Sequence, residues 1–295
     1  GQWAGPVGAV AARIAGLRNV VYVAHCPAFY HSTSLWRVLR NYFAEIVPCR
    51  LAKRVVALSY GSWYGYLYRG WVPEGHLVEI KNGVDLRIVP TSEEAKAFRE
   101  QNLKPVSDVH AVFVGRIDDQ KRVDWLLEAW AEAIRIRPTA APGWHLWIVG
   151  GGSSSGNEEE KVKKLALEMN LGENVHFVGQ RRDSMLWIAA GDFVVMSSLY
   201  EGHALVPLEA MACSKAVVAF NTHGIEDSVI HEETGLLAML GDTNELGNMI
   251  AKIAMDESLR RKMGQRGRKR CEELFRVEYS LKKYEFLYEE LMQKG

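Results

Sequence analysis

Between residues 86 and 277, short apolar runs alternate with stretches of helical spacing. The runs with the length of buried strands are His110–Val114, Trp144–Val149, Val175–Val178, Asp192–Met196 and Ala216–Phe220. Helical periodicity follows the first run from Val123 to Ile134, and a Lys/Glu-rich helix is predicted from Glu158 to Met169. Strands and helices that alternate at this spacing predict an α/β fold with a parallel, doubly wound sheet.

The first 85 residues show the same alternation with fewer elements. A helix is predicted from about Val7 to Leu17, and strands over Asn19–Ala24, Arg54–Ser59 and Leu77–Lys81. The third strand leads into Asn82-Gly83-Val84-Asp85, and Asn-Gly favours a turn. The sequence therefore predicts a domain boundary at residue 85. The aromatic run from Trp63 to Trp71 is compatible with an acceptor site, a partner surface or core packing.

Size and composition allow about two globular domains, since the chain has 295 residues with 48% hydrophobic content. The net charge is zero but uneven: residues 1–85 hold nine Lys/Arg and four Asp/Glu (+5), and the remainder holds 27 and 32 (−5). The basic residues that lie among apolar ones are Arg37, Arg40, Arg50, Lys53 and Arg54. They indicate either peripheral contact with an anionic membrane or a helix packed on its sheet. Nothing in the sequence indicates nucleic-acid binding.

Cysteine usage and hydropathy indicate the compartment. The four cysteines, at positions 26, 49, 213 and 271, show neither metal-ligand spacing nor a paired framework. No apolar segment reaches transmembrane length, and no signal peptide is visible. A reducing cytoplasm is the simpler expectation, with peripheral attachment to the inner membrane face as the alternative.

A possible ligand site lies between Ser198 and Ala212. Glu201 occurs in a turn with Gly202, and Glu209 follows eight positions later inside a predicted helix. Pro207 suits the first turn of that helix, whose free N–H groups and dipole favour an anion. Carboxylates on either side of an anion site suit a diphosphate that carries hydroxyl-rich sugars at both ends. The pattern predicts a nucleotide-sugar site.

A second element is the strand-to-helix turn from Gly115 to Gln120. Arg116 and Lys121 lie at its two edges, where they are placed to neutralise a diphosphate leaving group. Taken singly, each cation is better explained as a solvated surface residue.

The spacing from Glu201 to Glu209, together with Arg116 and Lys121, resembles retaining glycosyltransferases of the GT-B fold, particularly family 4. The resemblance implies two Rossmann-like, doubly wound domains, of which the first is incomplete here. The implied divisions are residues 1–85 on the acceptor side, 86–277 for the nucleotide-sugar domain, and 278–295 as a helix that crosses back to the first domain.

The resemblance also implies residue roles. Arg116 and Lys121 would hold the diphosphate, Glu209 the ribose, and Glu201 the donor sugar. His25, which follows a predicted strand, would hydrogen-bond that sugar or be structural. Further implied donor-binding residues are Gly115, Gly179, Gln180, Arg181, Gly202, His203, Ala204 and Leu205. We expect a UDP- or GDP-linked sugar donor, a sugar, lipid or small-molecule acceptor, and neither cofactor nor metal.

Several positions depart from the family pattern. Arg122 stands where glycine is usual, and Asn221-Thr222-His223-Gly224-Ile225-Glu226-Asp227 replaces Gly-Gly-Ile-Pro-Glu. His203 and Ala204 replace an aromatic residue and a glycine. Residues 150–156 lack the spacing of a dinucleotide-binding loop and predict a surface loop.

The beginning of the chain resembles the middle of a GT-B first domain, so about a hundred residues of a usual domain are expected elsewhere. A truncated form or a split enzyme with a companion subunit would account for this. Two other functions remain open: a non-catalytic nucleotide-binding subunit, and a phosphorylase or synthase on the same fold.

Overall fold

Two parallel β-sheets organise the chain. The computed structural model describes residues 4–25, 35–140, 143–152 and 157–293, with residues 35–38 described by their backbone alone. One sheet has three strands and the other has six. The predicted α/β fold with parallel sheets is therefore confirmed. Among the described residues, no helix combines the length and apolarity that a membrane span requires.

The three-stranded sheet has the order β1-β2-β3, with every pair parallel. Its strands and helices are β1 (Val21–Ala24), β2 (Arg54–Ala57), β3 (Leu77–Glu79), α1 (Ala4–Ile14), α2 (Leu35–Leu51) and α3 (Tyr60–Tyr68). Helix α1 begins three residues before its predicted start. Arg37 is one of the basic residues that lie among apolar ones in the sequence, and its side chain is not among those that the structure describes.

The six-stranded sheet has the order β6-β5-β4-β7-β8-β9. Its strands are β4 (Val109–Val114), β5 (Trp144–Val149), β6 (Val175–Gly179), β7 (Phe193–Met196), β8 (Ala216–Phe220) and β9 (Gly235–Ala238). The helices in the remainder of the described chain are α4 (Ser92–Asn102), α5 (Val123–Ile136), α6 (Glu158–Glu168), α7 (Ser184–Ala190), α8 (Leu205–Ala212), α9 (Thr243–Met255), α10 (Glu257–Leu274) and α11 (Val277–Gln293). The strand order reverses between β4 and β7, which are neighbours in the sheet.

Both faces of the larger sheet are covered, which explains why its strands are continuous apolar runs. Phe113 and its neighbours pack with Trp130 of α5 and Ile250 of α9. On the opposite face, Val112 packs with Trp187 of α7. Alternate residues of each strand therefore serve two separate cores.

The connection between the sheets contains Gly83, which the sequence predicts to form a turn with Asn82. Asn82-Gly83 does not form a tight turn; it runs beside the start of α11, where Val84 bridges to Arg276. A Cβ on Gly83 would lie 2.6 Å from the Val277 Cα atom. Glycine is thus required by close backbone approach rather than by turn chemistry.

Helix α11 packs on the three-stranded sheet. Leu287 joins the buried cluster of Val56, Leu58 and Ile80, and Glu290 forms an ion pair with Arg54 at 2.7 Å. The chain therefore returns to its first sheet after completing the second. The exact domain limits at residues 85 and 277 stay a prediction.

Candidate functional site

The reversal of strand order brings two loops together at the carboxyl ends of β4 and β7. Two loops begin there, residues 115–122 after β4 and residues 197–204 after β7. We call the space that these loops border the switch-point cleft. In open α/β sheets, ligands bind outside the carboxyl ends of the strands at such a point.

Lys121 and Glu201 meet in the switch-point cleft. The Lys121 Nζ atom lies 2.5 Å from the Glu201 Oε1 atom, and the side chains are only 13% and 9% exposed. Both belong to the residues that the sequence predicts for the donor site. The fold therefore joins the two halves of the predicted site directly.

Backbone and side-chain hydrogen bonds hold the two loops together. The Leu199 amide donates to the Gln120 carbonyl at 2.8 Å, and the Gln120 Nε2 group donates to the Tyr200 carbonyl at 3.0 Å. The Ser197 hydroxyl donates to the Lys121 carbonyl at 2.7 Å. Gln120 and Ser197 do not stand out in the sequence, because their roles depend on the strand order.

Arg116 lies at the rim of the cleft, with its side chain 61% exposed. Its guanidinium contacts Asp118 at 3.0 Å and the Gln120 Oε1 atom at 3.3 Å. Asp118 also accepts hydrogen bonds from the amides of Gln120 and Lys121, each at 3.1 Å. Asp118 thereby fixes the turn and tethers one cation without burying it.

Arg122 has the left-handed backbone (φ +46°) that explains the family's usual glycine at this place. Its guanidinium pairs with Asp124 at 2.6 Å and stacks over the Trp125 ring, 3.7 Å from the centroid. Its side chain is therefore held against α5.

A glycine-rich backbone supports the 115–122 loop from behind. The Ile117 amide donates to the Gly151 carbonyl at 2.8 Å, and the Gly150 amide donates to the Gly179 carbonyl at 2.9 Å. A Cβ on Gly150 would lie 1.7 Å from the Gly115 carbonyl oxygen. Residues 150 and 151 of the predicted surface loop pack their backbone against the 115–122 loop, Gly152 is exposed, and residues 153–156 lie outside the described part. This packing brings predicted residues Gly115 and Gly179 together.

Gln180 and Arg181 follow β6 on the exposed rim beside this backbone. The Arg181 guanidinium is paired with Asp183 at 3.0 Å, and this pairing holds the pKa of the Asp183 carboxyl below its usual range. Both residues remain accessible to a ligand that reaches the carboxyl end of β6.

The loop after β8 (residues 221–227) supports the Glu201 turn. The Glu201 amide donates to the His223 carbonyl at 3.3 Å, and the Ala204 amide donates to the Gly224 carbonyl at 3.4 Å. Gly224 has φ +83°, and a Cβ there would lie 2.6 Å from the Gly202 carbonyl oxygen. Of the two glycines that are usual in the family's motif, this chain keeps Gly224, and the packing requires a glycine at that position.

His203 is buried, and its ring packs against Phe275 with centroids 5.6 Å apart. Burial lowers the pKa of its imidazole to about 4, an effect that Asp227 partly offsets and Lys81 reinforces. Among the described residues, neither ring nitrogen has a hydrogen-bond partner. Its carbonyl accepts a 2.8 Å hydrogen bond from the Asn82 side chain, so His203 faces the junction between the sheets.

Helix α8 completes the site. Leu205 is its first residue, and Pro207 lies in its first turn, as the sequence predicts. Glu209 is half-buried, and burial raises the pKa of its carboxyl above the usual range. Leu205 is 48% exposed.

His25 is exposed and lies just beyond β1 on the smaller sheet. In the described part of the chain, no hydrogen bond joins it to the loops of the switch-point cleft. The structure instead connects the smaller sheet to the cleft through Lys81, whose Nζ atom lies 2.9 Å from the buried Asp227. The Tyr60 amide also donates to Asp227 at 3.3 Å. Nothing in the sequence indicates this connection.

Comparison with known proteins identifies the family. The family model described as glycosyl transferases group 1 matches residues 94–270, which is more than half of the chain. The chain belongs to this family. The match includes both loops of the switch-point cleft.

Two curated proteins are similar to this chain over part of their length. N-acetyl-alpha-D-glucosaminyl L-malate synthase of Bacillus anthracis is 26% identical over 221 residues, which are 75% of this chain and 55% of that protein. D-inositol 3-phosphate glycosyltransferase of Kribbella flavida is 32% identical over 191 residues, which are 63% and 45%. The chain spans about half the length of these curated relatives.

Solved structures share the architecture. Sucrose-phosphate synthase from Thermosynechococcus elongatus superposes with a TM-score of 0.82 at 30% identity, covering 93% of this chain and 68% of that one. Anabaena HepE in complex with UDP-glucose superposes with a TM-score of 0.86 at 24% identity, covering 99% and 77%. The fold of this group 1 chain is that of GT-B proteins.

Proposed function

We propose that this chain binds a nucleoside-diphosphate sugar in the switch-point cleft and serves its transfer to a hydroxyl acceptor. The observation that carries the proposal is the contact between Lys121 and Glu201, which places a cation and a carboxylate together at the carboxyl ends of β4 and β7. UDP is the favoured nucleotide, because HepE, a protein of the same fold, is known with UDP-glucose. GDP is the alternative.

The diphosphate would lie between the exposed Arg116 guanidinium and the beginning of α8. Arg116 is tethered at the rim by Asp118 and is exposed, so its guanidinium would be available to a phosphate. The first amides of α8 and the positive end of its dipole favour the same anion. As the sugar–phosphate bond breaks, these groups and Lys121 would stabilise the charge that develops on the leaving diphosphate.

The carboxylates would hold the sugars at either end. Glu209 lies along α8, where it would accept hydrogen bonds from the ribose hydroxyls. Glu201, fixed by Lys121, would contact the donor sugar. Gly179, Gln180 and Arg181 would border the base, and His25 would approach the donor sugar from the smaller sheet.

Transfer would follow the family 4 pattern, with retention of the anomeric configuration and without a metal. The two cations and the helix terminus supply the positive charge that a metal supplies elsewhere. The acceptor would enter from the side of the smaller sheet, where Lys81 and the Tyr60 amide meet Asp227.

Calorimetric titration of UDP, GDP and ADP tests the donor site. We expect micromolar binding of one nucleotide, lost in an Arg116→Ala, Lys121→Ala double variant. The matched control is Arg261→Ala, Lys269→Ala, which removes two cations of α10 that are 76% and 78% exposed. Equal binding by both double variants would contradict the proposed site.

Transfer itself requires a second measurement. With the bound nucleotide's glucose conjugate as donor, slow hydrolysis should release the nucleotide, and proton NMR should show the α-anomer first. Release of the β-anomer first would contradict retention. Nucleotide binding without any release would favour a binding subunit.

A further inference from the structure

Helix α3 presents a stripe of three tyrosines to solvent. Tyr60, Tyr64 and Tyr68 recur every four residues and are 60%, 53% and 78% exposed. The opposite face of the helix, with Ser62, Gly65 and Tyr66, is buried against the sheet. The helix is thus anchored on one side and aromatic on the other. We call this stripe the tyrosine ladder.

The rings of the tyrosine ladder are nearly parallel. Their centroids are 6.5 Å apart between Tyr60 and Tyr64 and 5.9 Å apart between Tyr64 and Tyr68, with interplanar angles of 26° and 18°. This spacing is near the upper limit of aromatic pairing, so each ring leaves much of its surface accessible. The ladder is therefore a repeated surface with one phenol hydroxyl at each step.

The ladder begins at the acceptor side of the cleft. The Tyr60 amide donates to Asp227, and a Cβ on Gly61 would lie 2.7 Å from the His223 Nδ1 atom. The loop of residues 221–227 contacts in turn the backbone of Glu201 and Ala204. A molecule that lies along α3 therefore has one end beside the 221–227 loop, which packs against the Glu201 turn.

We propose that the tyrosine ladder binds an extended glycan acceptor, which makes the acceptor of the proposed reaction an oligosaccharide or polysaccharide. This inference rests on the proposed function. Flat aromatic rings match the apolar faces of pyranose units, and the phenol hydroxyls match sugar hydroxyls. The repeat of the rings suits a repeating chain. A lipid surface fits less well, because each exposed ring of the ladder carries a hydroxyl group.

Affinity electrophoresis in native gels tests the ladder without requiring activity. The full chain would be run in gels that contain dextran, amylopectin or hydroxyethyl cellulose. The test variant is Tyr64→Ala, Tyr68→Ala, and the companion is Tyr64→Phe, Tyr68→Phe, which keeps the rings. Phe286→Ala on α11 is the control, because Phe286 is 70% exposed and lies outside the ladder.

We expect retardation in at least one polysaccharide, weakened about tenfold by the alanine pair, as the loss of two modest ring contacts predicts. The phenylalanine pair and Phe286→Ala should stay within about threefold of the parent protein. Loss of retardation in Phe286→Ala as well would overturn the assignment to α3.

Two further readouts separate the outcomes. Retardation without nucleotide binding would contradict the proposed function and leave the ladder standing. Nucleotide binding without retardation in any of the three gels would overturn the ladder alone. The protein would also be sedimented with vesicles of phosphatidylcholine and phosphatidylglycerol. Sedimentation that requires Tyr64 and Tyr68, in a protein that no gel retards, would show that the ladder binds a membrane and not a glycan.

Discussion

Lys121 and Glu201 are 80 positions apart in the sequence, and their charged atoms lie 2.5 Å apart in the fold. The pair is largely shielded from water, so each charge depends on the other. Its position at the meeting point of β4 and β7 gives the same two residues a structural and a proposed functional role.

A double-mutant cycle should reveal this dependence. Lys121→Met alone and Glu201→Gln alone each leave one partly buried group without its partner, and we expect each to lower the free energy of unfolding by about 2 kcal/mol. The combined variant should lose less than the sum by roughly 1 to 2 kcal/mol. Urea denaturation at pH 7 measures all four proteins. Strict additivity would show that the two charges are independent.

Gly150 should tolerate no side chain. Its Cβ would overlap the Gly115 carbonyl oxygen, and its φ of +145° disfavours other residues. Gly150→Ala should therefore lower the free energy of unfolding by at least about 3 kcal/mol and abolish nucleotide binding. Gly75→Ala is the control, because a Cβ added there would have no atom within 4 Å, and it should change stability by less than about 0.5 kcal/mol. Similar melting curves for the two variants would refute the packing argument.

The ion pair between Lys81 and Asp227 should stabilise the contact between the smaller sheet and the cleft. Asp227 is only 6% exposed, so removal of its partner leaves a buried charge. Lys81→Met should cost about 2 kcal/mol. Arg87→Met removes the partner of Asp85, an arginine whose side chain is 79% exposed, and should change stability much less than Lys81→Met does. Chemical denaturation measures the free energy of unfolding of both variants. Equal losses would contradict the predicted contribution of the Lys81–Asp227 ion pair.

His203 should make the protein sensitive to mild acid. Its pKa is about 4 in the folded chain and about 6.5 when unfolded, so the unfolded state binds the proton first. The contribution to stability is present above pH 6.5 and is lost as the pH falls towards 4. Between pH 7 and pH 5 the loss should be about 2 kcal/mol.

His203→Phe supplies an aromatic ring of similar size without the titrating group. The variant should lose about 2 kcal/mol less than the parent protein between pH 7 and pH 5, as measured by urea denaturation at both values. His110, whose pKa burial also lowers to about 4, is present in both proteins and cancels from the comparison. An unchanged pH dependence would show that His203 can be protonated in the fold.

The buried framework was the most predictable part of this chain. Trp144–Val149 and Ala216–Phe220 form strands with the predicted limits, because central parallel strands are apolar on both faces. Helix α4 was missed because none of its residues is buried, so it has no apolar stripe. Its capping box of Thr91 and Glu94 was the available signal.

For the candidate site, the sequence indicates individual residues but not their arrangement, and their roles stay a prediction. Arg116, Lys121 and Glu201 stand out by type and spacing. Nothing in the linear order shows that Lys121 binds Glu201, because that contact depends on β7 lying beside β4. The contacts of Gln120, Ser197 and Lys81 depend in the same way on neighbours that are distant in sequence.

The placement of β7 beside β4 also determines when the site forms during folding. Strands β5 and β6 and their helices come between β4 and β7 in the chain but lie on the other side of β4 in the sheet. Closing this long loop costs entropy that local contacts do not recover, so pairing of β7 with β4 is expected to be a late event. A partly synthesised chain that ends before β7 would contain Arg116 and Lys121 without Glu201, and it would acquire the complete cleft only when the centre of the sheet closes.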